Sequence, residues 1–284
     1  MPSLQRLPAQ FRLRPRLITL DAFDTIYYPY PDVPTQYKQF VQQHAPESQN
    51  VRTDDIQRNF YAAFKRAAVE HPNYGRHTSL PSPREWWHLV IRETLEPYFT
   101  GERPLTEAAI DELYELFYTA RAYRTHADVP AFVDKVKVPL GVISNSDPRT
   151  REVLMSLGLA TPNGSPRGFA LDRVVCSYEA EAEKPDPRIF TFAATNAAAT
   201  VGPTRPGAGV QYVHIGDEFR KDVAPMTDPA LAAWAAVYLC REGPPADWTV
   251  PGDFTGVFAI DGNERQLCCR SLADLVDIFE DRVE

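Results

Sequence analysis

Leu17-Ile18-Thr19-Leu20-Asp21-Ala22-Phe23-Asp24-Thr25 is an apolar run that stops at two aspartates, with a threonine after the second. A run without polar alternation predicts a strand buried on both faces, the kind that parallel sheets contain. Two carboxylates at its carboxyl end then lie where open α/β sheets gather their reactive groups.

Upstream, Pro2, Pro8 and Pro15 interrupt residues 1–15, and Arg6, Arg12, Arg14 and Arg16 all precede the first acid, Asp21. This stretch reads as an irregular leader. An acid-poor, arginine-bearing start also suits a mitochondrial presequence, but the prolines break any amphipathic helix. Downstream, Tyr27-Tyr28-Pro29-Tyr30-Pro31 leaves the sheet as a stiff loop.

From residue 34 to 125 the pattern is helical. Thr53 is a candidate N-cap ahead of Asp54 and Asp55, with Ile56, Phe60, Phe64 and Ala67 recurring on one face. Ser82-Pro83-Arg84-Glu85 has the form of a capping box and opens a helix carrying Trp86, Trp87, Val90 and Ile91. Thr106 caps a third, with Ile110, Leu113, Leu116 and Phe117 inward. The block contains no convincing strand and predicts an all-helical domain inserted into the sheet's chain path.

Alternation resumes near Asp128. Apolar runs at 138–143, 174–176, 211–215 and 235–239 predict four more strands, with helices at 130–136, after Asp147-Pro148 and after Lys184-Pro185-Asp186-Pro187. Residues 161–168 and 197–209 read as exposed loops, residues 241–256 receive no element, and Ser271 caps a last helix. The division is therefore a leader at 1–15, an α/β core at 16–28 and 127–284, and a helical domain at 29–126.

The 284 residues exceed the usual size of one domain, and 44% hydrophobic residues suffice for a sizeable core. A net charge of −8 argues against a nucleic-acid partner. No apolar stretch is long enough to cross a bilayer, so no membrane partner is expected. Cys176, Cys240, Cys268 and Cys269 have neither zinc spacing nor a disulfide pattern, which predicts reduced thiols in an intracellular protein. The cytoplasm is the expected compartment, ahead of nucleus and mitochondrion.

Polar groups recur at the strand ends: Asp21, Asp24 and Thr25; Ser144 and Asn145; Lys184; and Gly216-Asp217 with Asp222. In a parallel sheet these ends share one edge. Asp21 is the candidate nucleophile, since a carboxylate needs no deprotonation at neutral pH. Asp24 can protonate a leaving oxygen and then serve as base toward water. Either aspartate alone more often caps a turn; the set of matching strand ends favours chemistry. Asp217 and Asp222 are candidate metal carboxylates. Two like charges ~4 Å apart cost about 4 kcal/mol at an effective dielectric near 20, which a hard cation such as Mg²⁺ relieves. Lys184 offsets charge near the nucleophile, and Ser144 and Asn145 can donate to phosphate oxygens. His71, His77, His88 and His126 lack metal-like spacing, and His214, inside a strand, reads as structural.

In this order, Asp21-Ala22-Phe23-Asp24-Thr25, Ile143-Ser144-Asn145, Lys184-Pro185-Asp186-Pro187 and Gly216-Asp217 with Asp222 resemble the four motifs of the haloacid dehalogenase superfamily. The resemblance covers residues 16–240 and the last helix. Pro72-Asn73-Tyr74-Gly75 followed by Trp86-Trp87 is similar to the subgroup named haloacid dehalogenase-like hydrolase domain-containing protein 3. The resemblance implies a Rossmann-like core and a helical cap that closes over the site. It implies a Mg²⁺-dependent phosphatase acting on a small phosphorylated metabolite through an aspartyl-phosphate, with Asp21, Asp24 and Lys184 catalytic. Ser144, Asn145 and Lys184 would bind phosphate; Asp21, the Asp24 backbone carbonyl, Asp217 and Asp222 would hold the metal. The superfamily's dehalogenases generally lack the second aspartate of the first motif, so Asp24 favours phosphoryl transfer. A phosphomutase, or a binding or assembly protein with little turnover, are the other readings. Two departures bear on activity: Val223-Ala224-Pro225-Met226-Thr227-Asp228-Pro229 replaces the usual glycine-containing helix start, and Glu183 could compete for the Lys184 ammonium.

Overall fold

The computed structural model describes residues 2–8, 11–99, 104–161 and 168–279. Its strands are β1 (Leu4–Arg6), β2 (Leu17–Leu20), β3 (Tyr27–Pro29), β4 (Tyr123–Thr125), β5 (Leu140–Ser144), β6 (Ala160–Thr161), β7 (Phe169–Cys176), β8 (Tyr212–Gly216), β9 (Trp234–Leu239), β10 (Phe258–Ile260) and β11 (Asn263–Cys269). The chain forms two compact units. One comprises residues 1–27, 125–145 and 158–284; the other, 28–124 and 146–157.

The first unit is an α/β fold around a nine-stranded sheet of order β1-β10-β11-β9-β8-β2-β5-β7-β6. From β11 to β6 every pairing is parallel, whereas β1 and β10 are antiparallel additions at one edge. Every residue of β2, β5 and β8 is buried, as continuous apolar runs require when both faces are covered. Register brings their ends level: Leu20 lies opposite Val142 on one side and Ile215 on the other, and the Asp21 amide donates to the Ile215 carbonyl at 2.8 Å. The core beneath includes Leu17, Ile143, Val175, Ile189, Phe190, Tyr212 and Trp234.

Several expectations need correction. The leader is not irregular throughout. Leu4 is only 4% exposed, and β1 pairs Leu4 with Ile260 and Arg6 with Phe258. Three residues with one inward side chain give no periodicity to detect. Residues 258–269 supply two strands that the sequence reading omitted, because charged Glu264 and Arg265 interrupt β11. The 197–209 stretch opens as helix, since Pro187–Val201 continues through its alanines and Ala197 is buried. Strand β7 begins at Phe169, ahead of the expected 174–176. The 161–168 loop falls largely outside the described residues. Ser271 does cap, reciprocally with Asp274, but the turn it opens, Leu272–Ile278, is 3₁₀ rather than α.

The second unit contains helices Val33–His44, Thr53–Glu70, Pro83–Leu95, Glu107–Leu116 and Arg149–Ser156. Tyr37, Val41, Ile56, Ile91, Leu95, Ile110 and Leu113 form its core. Thr106 accepts from the Ala109 amide as a cap should. Thr53 instead begins the helix after Arg52, and the Ser82 side chain makes no capping bond. Trp86 is buried, whereas Trp87 and Tyr114 pack on the Arg149 guanidinium at 4.5 and 4.6 Å, with Asp147 paired to it at 2.9 Å. These rings surround a cation of the chain itself.

Candidate active site

The sequence-singled residues at the sheet edge all belong to the first unit. After β2 the chain turns tightly: Ile26 and Tyr27 amides donate to the Ala22 carbonyl, and the Asp24 amide donates to Tyr27 O at 2.8 Å. Asp24 takes φ 58°, a left-handed conformation that aspartate tolerates better than bulky residues do. The turn places Thr25 so that its hydroxyl donates to Asp217 Oδ1 at 2.6 Å.

Lys184 reaches the same place from the loop after β7. Its side chain is almost wholly buried, with Nζ 2.8 Å from Asp21 Oδ1 and 2.6 Å from Asp222 Oδ1. Asn145 fixes its backbone: Oδ1 accepts from Lys184 N at 2.6 Å and Nδ2 donates to Lys184 O at 2.9 Å. The Asn145 side chain thus holds the lysine in position, while Ser144 is buried at the end of β5. The ion pairs of the Lys184 ammonium are with Asp21 and Asp222, whereas Glu183 feels the charge of Lys221.

Asp222 is brought back beneath Gly216 by a single π-helical turn, Phe219–Val223. A Cβ on Gly216 would fall on the Asp222 carboxylate, so only glycine fits there. The fully buried Asp222 carboxylate accepts from Lys184 and from His214 Nε2 (3.0 Å) at Oδ1, and from the Glu218 amide (2.9 Å) at Oδ2. Beyond the turn, 3₁₀ segments Ala224–Thr227 and Pro229–Leu231 replace a regular helix. Strand β11 braces them. Arg265 donates to the carbonyls of Met226 (2.9 Å), Leu231 (2.7 Å) and Trp234 (3.0 Å), and Gln266 donates to Val223 O at 3.0 Å.

Three supporting residues escaped the sequence reading. His214 is not merely structural, since it bonds Asp222 directly. Arg241 donates to Thr25 O at 2.9 Å while gripping both Asp128 oxygens at 2.9 and 2.8 Å. Asp128 also accepts from the Ser271 hydroxyl and the Leu272 amide, tying the last turn to the Asp21–Thr25 loop. An arginine after a strand and a histidine inside one carry no motif spacing; only the register beside Gly216-Asp217 could have singled out His214.

The electrostatics follow from a group of four carboxyls of which two, Asp21 and Asp222, pair with the one ammonium. Burial opposes ionisation of Asp222, but Lys184 and His214 more than offset it and hold its pKa below the usual carboxylate value. Burial disfavours the Lys184 charge too, and Asp21 and Asp222 reverse that, raising its pKa. Burial, reinforced by the Asp222 charge, pushes Asp21 up. Desolvation, then the charges of Asp21 and Glu218, raises Asp24. Asp217 is pushed up to about 7 by burial and by its three acidic neighbours, although the Thr25 bond opposes this.

Carboxylate oxygens of Asp21, Asp217 and Asp222 lie within 4.8 Å of one another, the only such cluster of three metal-type side chains among the described residues. Asp21 Oδ1 is buried and ion-paired but lacks an aligned hydrogen-bond donor. An all-oxygen donor set with uncompensated negative charge suits a hard divalent cation. Of the three, Asp217 is the one partly exposed, while Asp222 is already engaged by three donors. No helix among the described residues is long and apolar enough to cross a membrane.

A haloacid dehalogenase-like hydrolase family model matches residues 15–226. An uncharacterised hydrolase of Schizosaccharomyces pombe is 28% identical over 222 residues, covering 77% of this chain and 89% of the relative. Haloacid dehalogenase-like hydrolase domain-containing protein 3 of Mus musculus is 27% identical over 214 residues, covering 74% and 77%. Among solved structures, a 2-haloacid dehalogenase of Pseudomonas syringae aligns over 93% of this chain and 97% of its own, at a TM-score of 0.54 and 19% identity. The HAD-hydrolase YfnB of Bacillus subtilis, bound to magnesium, aligns over 94% and 100%, at a TM-score of 0.54 and 16% identity. At these identities the structures share the fold.

Proposed function

The chain belongs to the haloacid dehalogenase-like hydrolases, and from that membership we propose that it is a Mg²⁺-dependent phosphatase hydrolysing a small phosphorylated metabolite. One observation carries the reading. Asp24 lies three residues beyond Asp21 in one tight turn, with its carboxyl pKa raised. A halide departs as a stable anion and needs no proton, whereas an ester oxygen does. A carboxyl held toward its protonated form is suited to supply one.

In this reading Asp21 Oδ attacks phosphorus, the bond to the ester oxygen breaks, and Asp24 protonates the departing oxygen. The resulting aspartyl-phosphate is hydrolysed by water that Asp24, now the base, deprotonates. Lys184 offsets charge on Asp21 and on the transferring phosphoryl oxygens, and Ser144 with the Asn145 amide binds those oxygens. Asp21, the Asp24 carbonyl and Asp217 would hold the cation, with Asp222 behind them. When bound, the cation would neutralise the carboxylates and phosphoryl oxygens, which opposes their mutual repulsion.

The test is phosphate release from p-nitrophenyl phosphate and a metabolite panel, with and without Mg²⁺. Cation-dependent release that falls at least about a thousandfold in Asp21→Asn is expected, in keeping with loss of a nucleophile. Absence of release from every ester, or release unchanged in Asp21→Asn, would refute it and favour the binding-protein reading. A requirement for a bisphosphate would point to a mutase.

A further inference from the structure

Lys184 faces two carboxylates, and something must set how its charge is shared between them. If Asp222 drew the ammonium wholly to itself, Asp21 would lose its counter-charge in a buried site. The geometry around Asp222 addresses this. Its Oδ1 receives a second donor, His214 Nε2, at 3.0 Å. The other nitrogen of that imidazole, Nδ1, lies 2.9 Å from Thr19 Oγ1. His214 and Thr19 are both almost completely buried, on the adjacent strands β8 and β2 and directly paired in register. The Phe190 ring stands edge-on to the imidazole at 5.2 Å and restricts its rotation.

Donor and acceptor roles can be assigned along this chain. Asp222 already accepts from Lys184 and from the Glu218 amide, so it is a carboxylate and can only accept from His214. Nε2 therefore carries the hydrogen. Nδ1 faces the Thr19 hydroxyl, whose two possible acceptors are Nδ1 at 2.9 Å and Val213 O at 3.4 Å. The shorter contact assigns the hydroxyl hydrogen to Nδ1, which therefore accepts and leaves the imidazole neutral.

We propose that Thr19 and His214 form a buried positioning relay, Thr19 Oγ–H to His214 Nδ1 and His214 Nε2–H to Asp222 Oδ1, that fixes Asp222 and keeps the Lys184 ammonium shared with Asp21. A neutral N–H on Asp222 occupies the direction that Lys184 would otherwise satisfy alone. Without it the ammonium moves toward Asp222 and away from Asp21. The inference deepens the phosphatase reading and rests on it for the role of Asp21. It predicts a loss in kcat rather than in KM, because neither residue touches substrate.

The experiment has two arms, both on the full chain. In the first, ¹⁵N-histidine labelling reports on the six imidazoles. His214 is expected as the neutral Nε2–H tautomer, with a proton protected from solvent exchange and displaced by Asp222→Asn. An Nδ1–H tautomer, or no response to Asp222→Asn, overturns the proposal. In the second arm, phosphate release is followed in His214→Gln, which keeps an N–H near the ε position, and in His214→Leu, which keeps none. The Leu variant should lose kcat about 10–100-fold at nearly constant KM, with the Gln variant recovering much of that loss. Thr19→Val, close to isosteric, should lose less, and Thr19→Ser should restore it. Folded His214→Leu and Thr19→Val variants with unchanged kcat overturn the relay while leaving the phosphatase reading in place. A wild-type chain that releases no phosphate defeats the phosphatase reading, and the tautomer and its response to Asp222→Asn then decide the relay alone.

Discussion

Asp217 shows what one carboxyl does when it is crowded by others. Its pKa of about 7, against an ordinary 3.8, means that the folded chain binds its proton more tightly than the unfolded chain does. The corresponding stability is complete below pH ~4 and is lost as pH rises through ~7. Without added cation, thermal stability should therefore decline across this window. Asp217→Asn, which cannot ionise, should raise the midpoint at pH 8 by about 4–8 °C. A divalent cation competes with the same proton. Its affinity, followed by titration calorimetry, should fall about tenfold per pH unit below 7. A flat affinity between pH 5 and 7 would remove Asp217 from the donor set. The motif aspartates and Lys184 were legible because each ends an apolar run or precedes a turn. His214 and Arg241 were not, because their roles arise only from strand register.

At the scale of elements, the stretch after Asp222 is the most irregular part of the site's surroundings, a π turn followed by two 3₁₀ segments. Its π turn and 3₁₀ segments leave carbonyls without helical partners, and β11 supplies those partners through Arg265 and Gln266. Arg265→Leu would leave three carbonyls unsatisfied and should destabilise the core unit by about 3 kcal/mol. Urea unfolding followed by tryptophan fluorescence checks this, since Trp234 is one of the residues so braced. A change below about 0.5 kcal/mol would mean that water replaces the guanidinium. The hydrophobic rhythm of β2, β5, β8 and β9 announced those strands, as did the helical spacing of Ile56, Phe60 and Phe64. Strand β11 was hidden because Arg265 lies inside it, serving neighbouring carbonyls rather than breaking the strand. Capping misled at Thr53, which is itself the first helical residue, and at Ser82, which holds the cap position but makes no capping bond through its side chain.

Across the whole molecule, the chain's two ends enter the same sheet. Leu4 pairs with Ile260 in that sheet, and outside it the Leu13 amide donates to Ile278 O at 2.7 Å. Deleting residues 1–8 would uncover Leu4's site and strip the outer edge of β10. A loss of about 2 kcal/mol, or 4–8 °C in thermal midpoint, is expected by differential scanning calorimetry. An unchanged midpoint would mark β1 as a dispensable addition.

The position of β2 has a consequence for how the chain reaches this structure. Ile18 lies between Leu140 and Val213, so the strand carrying the aspartates is made early and must wait for both neighbours. By contrast, the helices from Val33 to Leu116 can find many of their partners within the same stretch of chain. During synthesis that helical segment can consolidate while β2 remains unpaired, and sheet closure, dominated by distant pairings, should set the slow phase of folding.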